Sequence, residues 1–535
     1  MVAFGPSGRL PSDTTKDFSR GPKANIQRSV FDRSFGLKTT IDAGYLYPIY
    51  FDQVYPSDTF QMEAHGFGRL NTPIHPIMDN LYLETFYFFV PYRLLWTNWQ
   101  RFMGERDPNP TSSIDYLCPQ ITSNTVASKS LYDYFGLPVG TSISYNNFAG
   151  RAYNLIWNEW FRAEWIQDSV PVDLDDGPDT ATDYVLLKRG KRFDYFTSAL
   201  PNPQAGGTAV KLPLGTEAPV HGIGTNTQTY PYTSGNVYET GQTGTVNYAN
   251  YKMFDPSGAD GSIYLEEDPN NSGYPNIVAD LSEAASATIN QLRESFQLQA
   301  FLERSQIGGQ RYKEIIYSMF GTLTGDARLD RPEFLGSGRS RINVTPIPQT
   351  SSTDTTTPQA NMSGYGTVGF SGHKFSKSFT EHGCVIGLAC VFSDLNYFQG
   401  IAREWSYRDR YDFYWPAFAH LGEQGILNQE IFVQNTSDDS GIFGYAEKYA
   451  ELRYKNNQLT GLMRPNVTGT LDAWHLAQDF TALPALNSSF IQEDPPIDRI
   501  VATATQPDLF LDIFFKLRCA RPLPMYATPI TLSRF

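Results

Sequence analysis

The stretch from Asn80 to Glu105, NLYLETFYFFVPYRLLWTNWQRFMGE, constrains the fold more than any other part of the chain. Its first half is extended by pattern. Leu81, Leu83, Thr85, Tyr87 and Phe89 share one face of a strand, and Tyr82, Glu84, Phe86, Phe88 and Val90 the other. Both faces are mostly apolar, so this strand needs cover on both sides, as in a sandwich core. Pro91 has no N–H for a ladder and ends it. The period then changes. Leu95, Trp96, Trp99, Phe102 and Met103 make one stripe of a helix that Gly104 stops. The spacing predicts a buried strand carrying Phe86 and Phe88, with a helix clamping Trp96 and Trp99 across it.

Other segments follow the same two periods. Cys384 to Phe392 is a continuous apolar run, a second strand buried on both faces. Phe510 to Cys519 alternates: Leu511, Ile513, Phe515, Leu517 and Cys519 face in, while Lys516 and Arg518 lie on the opposite, wet face. Two more strands flank the Pro56-Ser57-Asp58 turn, and Pro48 marks an edge or a bulge in the first of them. Arg151–Gln167 predicts a helix with Tyr153, Ile156, Trp157, Trp160 and Phe161 as its stripe and Arg151, Asn158, Glu159 and Arg162 on its flanks. Asp280, with Glu283 three residues on, caps a further helix carrying Leu281, Ala285, Thr288, Ile289, Leu292 and Phe296; a short one follows over Tyr312–Phe320.

Between these lie long polar excursions, which in a compact domain are usually functional. Residues 1–40 show no clear periodicity and carry seven cations against three carboxylates, which reads as an arm laid over a surface. Residues 202–275 are rich in Gly, Thr, Asn and Tyr, with turn signals at Gly206-Gly207 and aromatic side chains at Tyr230, Tyr232, Tyr238, Tyr248 and Tyr251. They read as an inserted surface protrusion. The core is then 41–201 with 276–535. Tyr407 to Trp415 is a Tyr- and Trp-rich loop.

The chemistry expected of an enzyme is missing from the sequence: it has no zinc-ligand spacing, P-loop or nucleophile elbow. The carboxylates Asp173, Asp175, Asp176 and Asp179 surround Gly177 without the spacing of a calcium loop, so an acidic turn is the default and no metal or cofactor is expected. Glu159 among tryptophans suggests a glycosidase acid, but a solvated helix face explains it as well. The four cysteines read as free thiols of a reducing cytoplasm, and no apolar run is long enough for membrane insertion. A net charge of −14 excludes a wholesale polyanion binder but not a local basic patch. Two candidates for nucleic-acid contact stand out: the cluster Lys188, Arg189, Lys191 and Arg192, followed by Phe193, Tyr195 and Phe196 to stack on bases, and the pair Lys516 and Arg518. A subunit contact or a solvated loop is the alternative for the first.

Several of these runs resemble one family. Phe86-Tyr87-Phe88-Phe89-Val90-Pro91-Tyr92-Arg93-Leu94-Leu95-Trp96 is similar to a signature of the major capsid proteins of the Microviridae, the small single-stranded-DNA bacteriophages, and of the gokushovirus branch in particular. So are Phe31-Asp32-Arg33-Ser34, the helix from Arg151, Asp194–Pro201, Asp330–Gly336 and Gln349-Thr350-Ser351; the Ile-Thr-Leu-Ser-Arg-Phe ending departs from the family's usual close. The resemblance implies a mainly β fold, a viral jelly-roll sandwich or barrel with long inserted loops and a few amphipathic helices. It implies a structural protein of the virion, not an enzyme, assembled in the bacterial cytoplasm into a T=1-type icosahedral shell of copies of itself around circular single-stranded DNA. It further implies scaffolding, DNA-binding and pilot proteins as partners, and a protrusion that meets a host receptor, with a glycan as one candidate. The rival readings are a glycoside hydrolase and a carbohydrate-binding adhesin.

Overall fold

The computed structural model describes residues 27–105, 115–207, 330–351, 353 and 359–526. From 208 to 329 it describes short pieces only, at 220–221, 223–224, 251–253, 264–266, 269, 276–279, 289–308 and 318. The chain forms two compact units, Met1–Pro201 with Thr324–Phe535, and Asn202–Leu323.

The first unit is built on nine strands: β1 (Ser29–Asp32), β2 (Phe35–Ile41), β3 (Tyr47–Val54), β4 (Thr59–Leu70), β5 (Leu81–Pro91), β6 (Glu333–Pro348), β7 (Met362–Ser378), β8 (Gly383–Ser393) and β9 (Leu509–Arg521). One sheet runs β2-β9-β4-β7, with β1 extending β2 along the same edge of β9; the other runs β6-β5-β8-β3. Every neighbouring pair is antiparallel. Successive strands mostly change sheets, the connectivity of a jelly roll. β3 and β4, adjacent in sequence around Ser57, fall in different sheets. Pro48 sits where both expectations for it meet, on the edge strand and beside a register shift against Gly387 and Leu388.

Between the sheets lies one core, including Tyr50, Phe60, Leu83, Tyr87, Val391, Ile513 and Phe515. A second core covers the other face of the β6-β5-β8-β3 sheet, where Phe88, Ile386, Leu388 and Cys390 meet Trp96, Phe148, Tyr153, Ile156 and Trp157. That double cover is why every residue of β8 is buried and why both faces of β5 are apolar. Among the described residues the β2-β9-β4-β7 sheet has no second cover along β9, whose residues alternate strictly between buried and exposed from Leu509 to Cys519.

β6 belongs to both sheets. Its first part, Glu333–Ile342, pairs with β5, and its last part, Asn343–Pro348, with β7. Bulges at Phe334/Gly336 and at Phe370/His373 bend the two strands at this corner. There the buried His373 bridges the layers, with Nδ1 3.0 Å from the Thr85 hydroxyl and Nε2 3.1 Å from that of Ser340. The ring lies so close over Gly338 that a Cβ there would sit 2.1 Å from it.

Several sequence expectations are corrected. Residues 29–40 are not arm: β1 and β2 are ladder strands on β9, held by backbone bonds, with most side chains outside the core. Residues 1–26 lie outside the described residues. The helix expected after Pro91 is two single turns, Tyr92–Leu94 and Trp99–Phe102. Between them the Thr97 N–H and hydroxyl donate to the Leu174 carbonyl, which pulls the chain off the helical path. The helix from Arg151 is α1 (Phe148–Ile156), followed by a π-helical turn, Trp157–Phe161, and it ends at Arg162. Arg151, expected on its wet flank, is fully buried.

In the second unit the described part of helix α2 spans Ile289–Gly308, and Phe296 of its expected stripe stands exposed. Its capping residues at 280–283 and the helix expected at Tyr312–Phe320, apart from Ser318, lie outside the described residues. Short ladders join Tyr251–Met253, Tyr264–Glu266 and Ile223–Gly224, and Val220–His221 with Val278–Ala279. The unit begins where the excursion was expected and continues past 275. The Val278–Ala279 ladder and a bond from the Ala205 N–H to the Leu302 carbonyl tie the later residues to it.

Gly338→Ala is expected to cost about 1–3 kcal/mol or more, as overpacking does. His373→Ala in the same chain should recover part of that loss, a non-additivity that denaturant unfolding of both single variants and the double variant would measure.

Candidate interaction surfaces

The basic cluster expected to touch DNA is a seam inside the first unit. Its backbone stitches two distant segments together: the Arg189 N–H donates to the Gly44 carbonyl at 2.8 Å, Lys191 to Ile491 at 2.7 Å, and Glu493 back to Arg189 at 2.7 Å. Gly44 has a φ of +84°, and a Cβ there would lie 2.3 Å from the Glu493 carbonyl oxygen, so this crossing needs glycine. The side chains follow. Arg189 pairs with Glu84 at 2.6 Å and lies over the rings of Phe86 and Phe392. Arg192 sits 4.5 Å above Phe392, Lys188 pairs with Asp494 at 2.9 Å, and the buried Lys191 lies 4.6 Å from the centre of the Phe490 ring. Cations laid on aromatic faces are stabilised by the ring quadrupole when desolvated.

Of the aromatic residues expected to stack on bases, Phe193 is exposed, but Tyr195 and Phe196 are buried in a third core with Tyr397, Ile426 and Phe443. Their rings are therefore closed to a ligand. The Tyr195 hydroxyl donates to Glu430 at 2.7 Å. Beneath the seam, burial pushes the Glu493 carboxyl up from 4.5 to about 7, against the pull of Lys191 and Arg189.

The acidic turn 173–179 serves the same end. Arg151 donates to both carboxylate oxygens of Asp179, at 2.7 and 2.5 Å, and to the Leu95 and Asp175 carbonyls. Both the Arg151 and the Asp179 side chains are fully buried. Trp96 donates through Nε1 to Asp176 at 2.7 Å. Three tryptophans of the expected clamp close on β5 and its surroundings: Trp96 is buried, Trp99 packs 4.8 Å from Tyr92, and Trp157 donates to the Lys188 carbonyl. Trp160 is more exposed, its ring tilted against Phe88 at 5.6 Å and its Nε1 donating to the Pro332 carbonyl. Phe86 meets Phe161 at 5.2 Å. This network has no local sequence signal, because its partners lie far apart in the chain.

The wet face of the β2-β9-β4-β7 sheet is different. Lys516 and Arg518 are both exposed there. The ladder sets Lys516 beside Glu63 and Phe514 beside His65, while Lys374 flanks Glu63 from β7. Phe67, Phe510 and Phe514 are also exposed on this face. At one end a cavity of about 680 Å³ is lined by Lys38, Phe67, Arg69, Lys129, Tyr134 and Phe510, among others. Sequence reasoning found the two β9 cations by their alternation but missed the rings beside them.

Of the residues expected on the protrusion, Gly206 and Gly207 form a left-handed turn with φ of +83° and +66°, and Tyr251 lies on a short strand. Tyr230, Tyr232, Tyr238 and Tyr248 lie outside the described residues. Among the described residues no group of three or more His, Cys, Asp or Glu is arranged to hold a metal ion. Cys118, Cys384, Cys390 and Cys519 are free thiols, and burial pushes that of Cys390 up to about 12.

A jelly roll with one sheet buried twice at its centre and excursions larger than its barrel strands is an architecture that viral capsid subunits share. Comparison with known proteins agrees. The chain belongs to the family described as "Capsid protein (F protein)", whose model matches residues 19–531. It is 42% identical to the capsid protein VP1 of Chlamydia phage 1, over 97% of this chain and 98% of that protein. It is equally similar, 42% over the same shares, to VP1 of Bdellovibrio phage phiMH2K, and 33% identical to VP1 of Spiroplasma virus 4, over 96% and 97%. These are gokushovirus-type capsid proteins, and the chain is a capsid protein of that type.

Two measurements probe the buried charges. Arg151→Ala leaves Asp179 buried and unpaired and should cost about 3–5 kcal/mol in denaturant unfolding. Between about pH 4.5 and 7 the folded chain keeps a proton on Glu493 that the unfolded chain has released, so stability falls as pH rises through that window. Glu493→Gln should flatten that part of the profile of Tm against pH.

Proposed function

We propose that this capsid protein assembles into a small T=1-type icosahedral shell enclosing circular single-stranded DNA, and that the wet face of the β2-β9-β4-β7 sheet meets the packaged strand. The observation that carries the reading is the interleaving of cations and rings on that face. Lys516, Arg518, Lys374 and Arg69 stand beside Phe514, Phe67 and Phe510. Cations hold phosphates without reading sequence, and ring faces accept unpaired bases of any kind. An acidic chain reserves such a face for the strand while the rest of its surface repels polyanions.

Of the six cations considered for this role, Lys516 and Arg518 carry it. Lys188, Arg189, Lys191 and Arg192 have their charges committed to Asp494, Glu84 and aromatic rings within the chain. The work of the protein is association, and symmetry repeats each modest contact until the shell closes. The Asn202–Leu323 unit, compact in its own right and rich in turn-forming residues, is proposed to form a surface protrusion that meets a host receptor. Scaffolding, DNA-binding and pilot proteins complete the expected partners, with assembly in the bacterial cytoplasm.

Electron microscopy of particles from a productive host, with nuclease-protected DNA assayed on the same fractions, tests the whole. Uniform icosahedral shells holding single-stranded DNA are expected; monomers or trimers without protected DNA would refute it. For the face itself, replacing Lys516 and Arg518 by Ala should leave shells forming while lowering DNA content. It should also reduce the salt slope of single-strand binding by about 0.7 per lost contact. Unchanged packaging and slope would reject the assignment.

A further inference from the structure

The segment from Trp405 to Leu421 carries an ordered set of aromatic side chains that nothing among the described residues covers. Trp405 is 76% exposed, and Tyr411, Phe413, Tyr414, Trp415 and Leu421 are each about half exposed or more. Exposed rings on a floppy loop would need little explanation, but this loop is built. The Asp412 carboxylate accepts the N–H groups of Arg408 and Asp409 at 2.7 and 2.9 Å. Trp415 donates through Nε1 to the Arg410 carbonyl at 2.7 Å, and Tyr407 donates to Glu451 at 3.0 Å. Edge-on packing of Tyr414 on Tyr449 at 5.0 Å and of Phe413 on Tyr407 at 5.1 Å fixes the rings further. Arg403, at the root of the loop, is anchored on the buried Glu430.

We infer that this loop is a contact surface between copies of the chain, its rings buried against a neighbouring subunit. The inference rests on the shell reading and names one of the surfaces by which the shell would be held. Three observations favour a second copy over a small ligand or a glycan. The first is area: at roughly 150–250 Å² per aromatic side chain, the exposed fractions amount to about 700 Å². That is one side of a standard protein interface, whereas a sugar needs one or two ring faces. The second is composition, because Trp, Tyr and Arg in a rigid frame are what interface hot spots are made of, and pre-ordering them lowers the entropy lost on binding. The third is charge. Arg408 and Arg410 alternate with Asp409 and Asp412, so the patch presents both signs and does not repel a copy of its own surface.

Hydroxyl-radical footprinting, read by mass spectrometry on intact particles and on the dissociated subunit, tests this directly. Labelling of Trp405, Tyr411 and Trp415 should fall several-fold in the particle. Equal labelling in both states would overturn the contact while leaving the shell intact; a wild-type chain that never leaves the monomer would overturn the shell reading as well. A Trp405→Ala/Tyr411→Ala variant should keep the wild-type Tm as a subunit, since these rings bear little of the fold. It should need about tenfold more protein, or greater, to assemble. Assembly at the wild-type concentration, or rings shielded in particles only by added host-surface polysaccharide, would overturn the proposal and assign the loop to attachment.

Discussion

A sheet with two apolar faces has to be covered twice, and in this chain that demand falls on β5 and β8. One cover is the opposite sheet of the jelly roll. The other cannot come from a barrel strand and is supplied by the excursion after β5, which brings Trp96, Phe148, Tyr153 and Trp157 back over Phe88, Ile386 and Leu388. The size of that excursion is therefore partly a packing requirement. Its Arg151–Asp179 pair and its Trp96–Asp176 bond fasten the lid once it is down. Had β8 alternated like β9, no such lid would be needed.

The two sheets then differ in what they expose. The sheet with the lid has no free face along β8. The other keeps its outer face wet along β9, and there exposed cations and rings lie side by side. β6, which runs from one sheet into the other over the Gly338–His373 corner, holds the two in register. A buried histidine bonded at both ring nitrogens makes that corner stiff rather than adaptable.

How much of this the sequence discloses depends on where the partners of a residue lie. β5, β8 and β9 are legible because alternation or continuous apolarity is a local pattern produced by burial itself. β1 and β2 are not, because their ladder on β9 uses backbone groups that every residue possesses, and their side chains carry little alternation. The 188–192 cluster is ambiguous in sequence for a related reason. A run of cations looks the same whether it faces phosphate or lies on Phe86, Phe392 and Phe490, and only the fold brings Glu84 and Asp494 to it. Arg151 is the same case in miniature, a charge read as solvated whose counter-charge sits in an acidic turn that looked ordinary. The motif resemblance identified the family because it drew on long, specific runs rather than on any single charge.

The last strand has a temporal consequence. β9 lies between β2 and β4, and the N–H of Ala43 bonds to Asp508, 465 positions away. At about 5–20 residues per second the ribosome takes some tens of seconds to a minute or more to bridge that gap. Through that time β2 and β4 lack the strand that separates and pairs them, and their edges are open to neighbouring nascent chains. A subunit of this kind closes only once β9 has been made and enters the slot, so both edges stay unpaired until then. Competence to assemble is thereby gated by completion of the polypeptide.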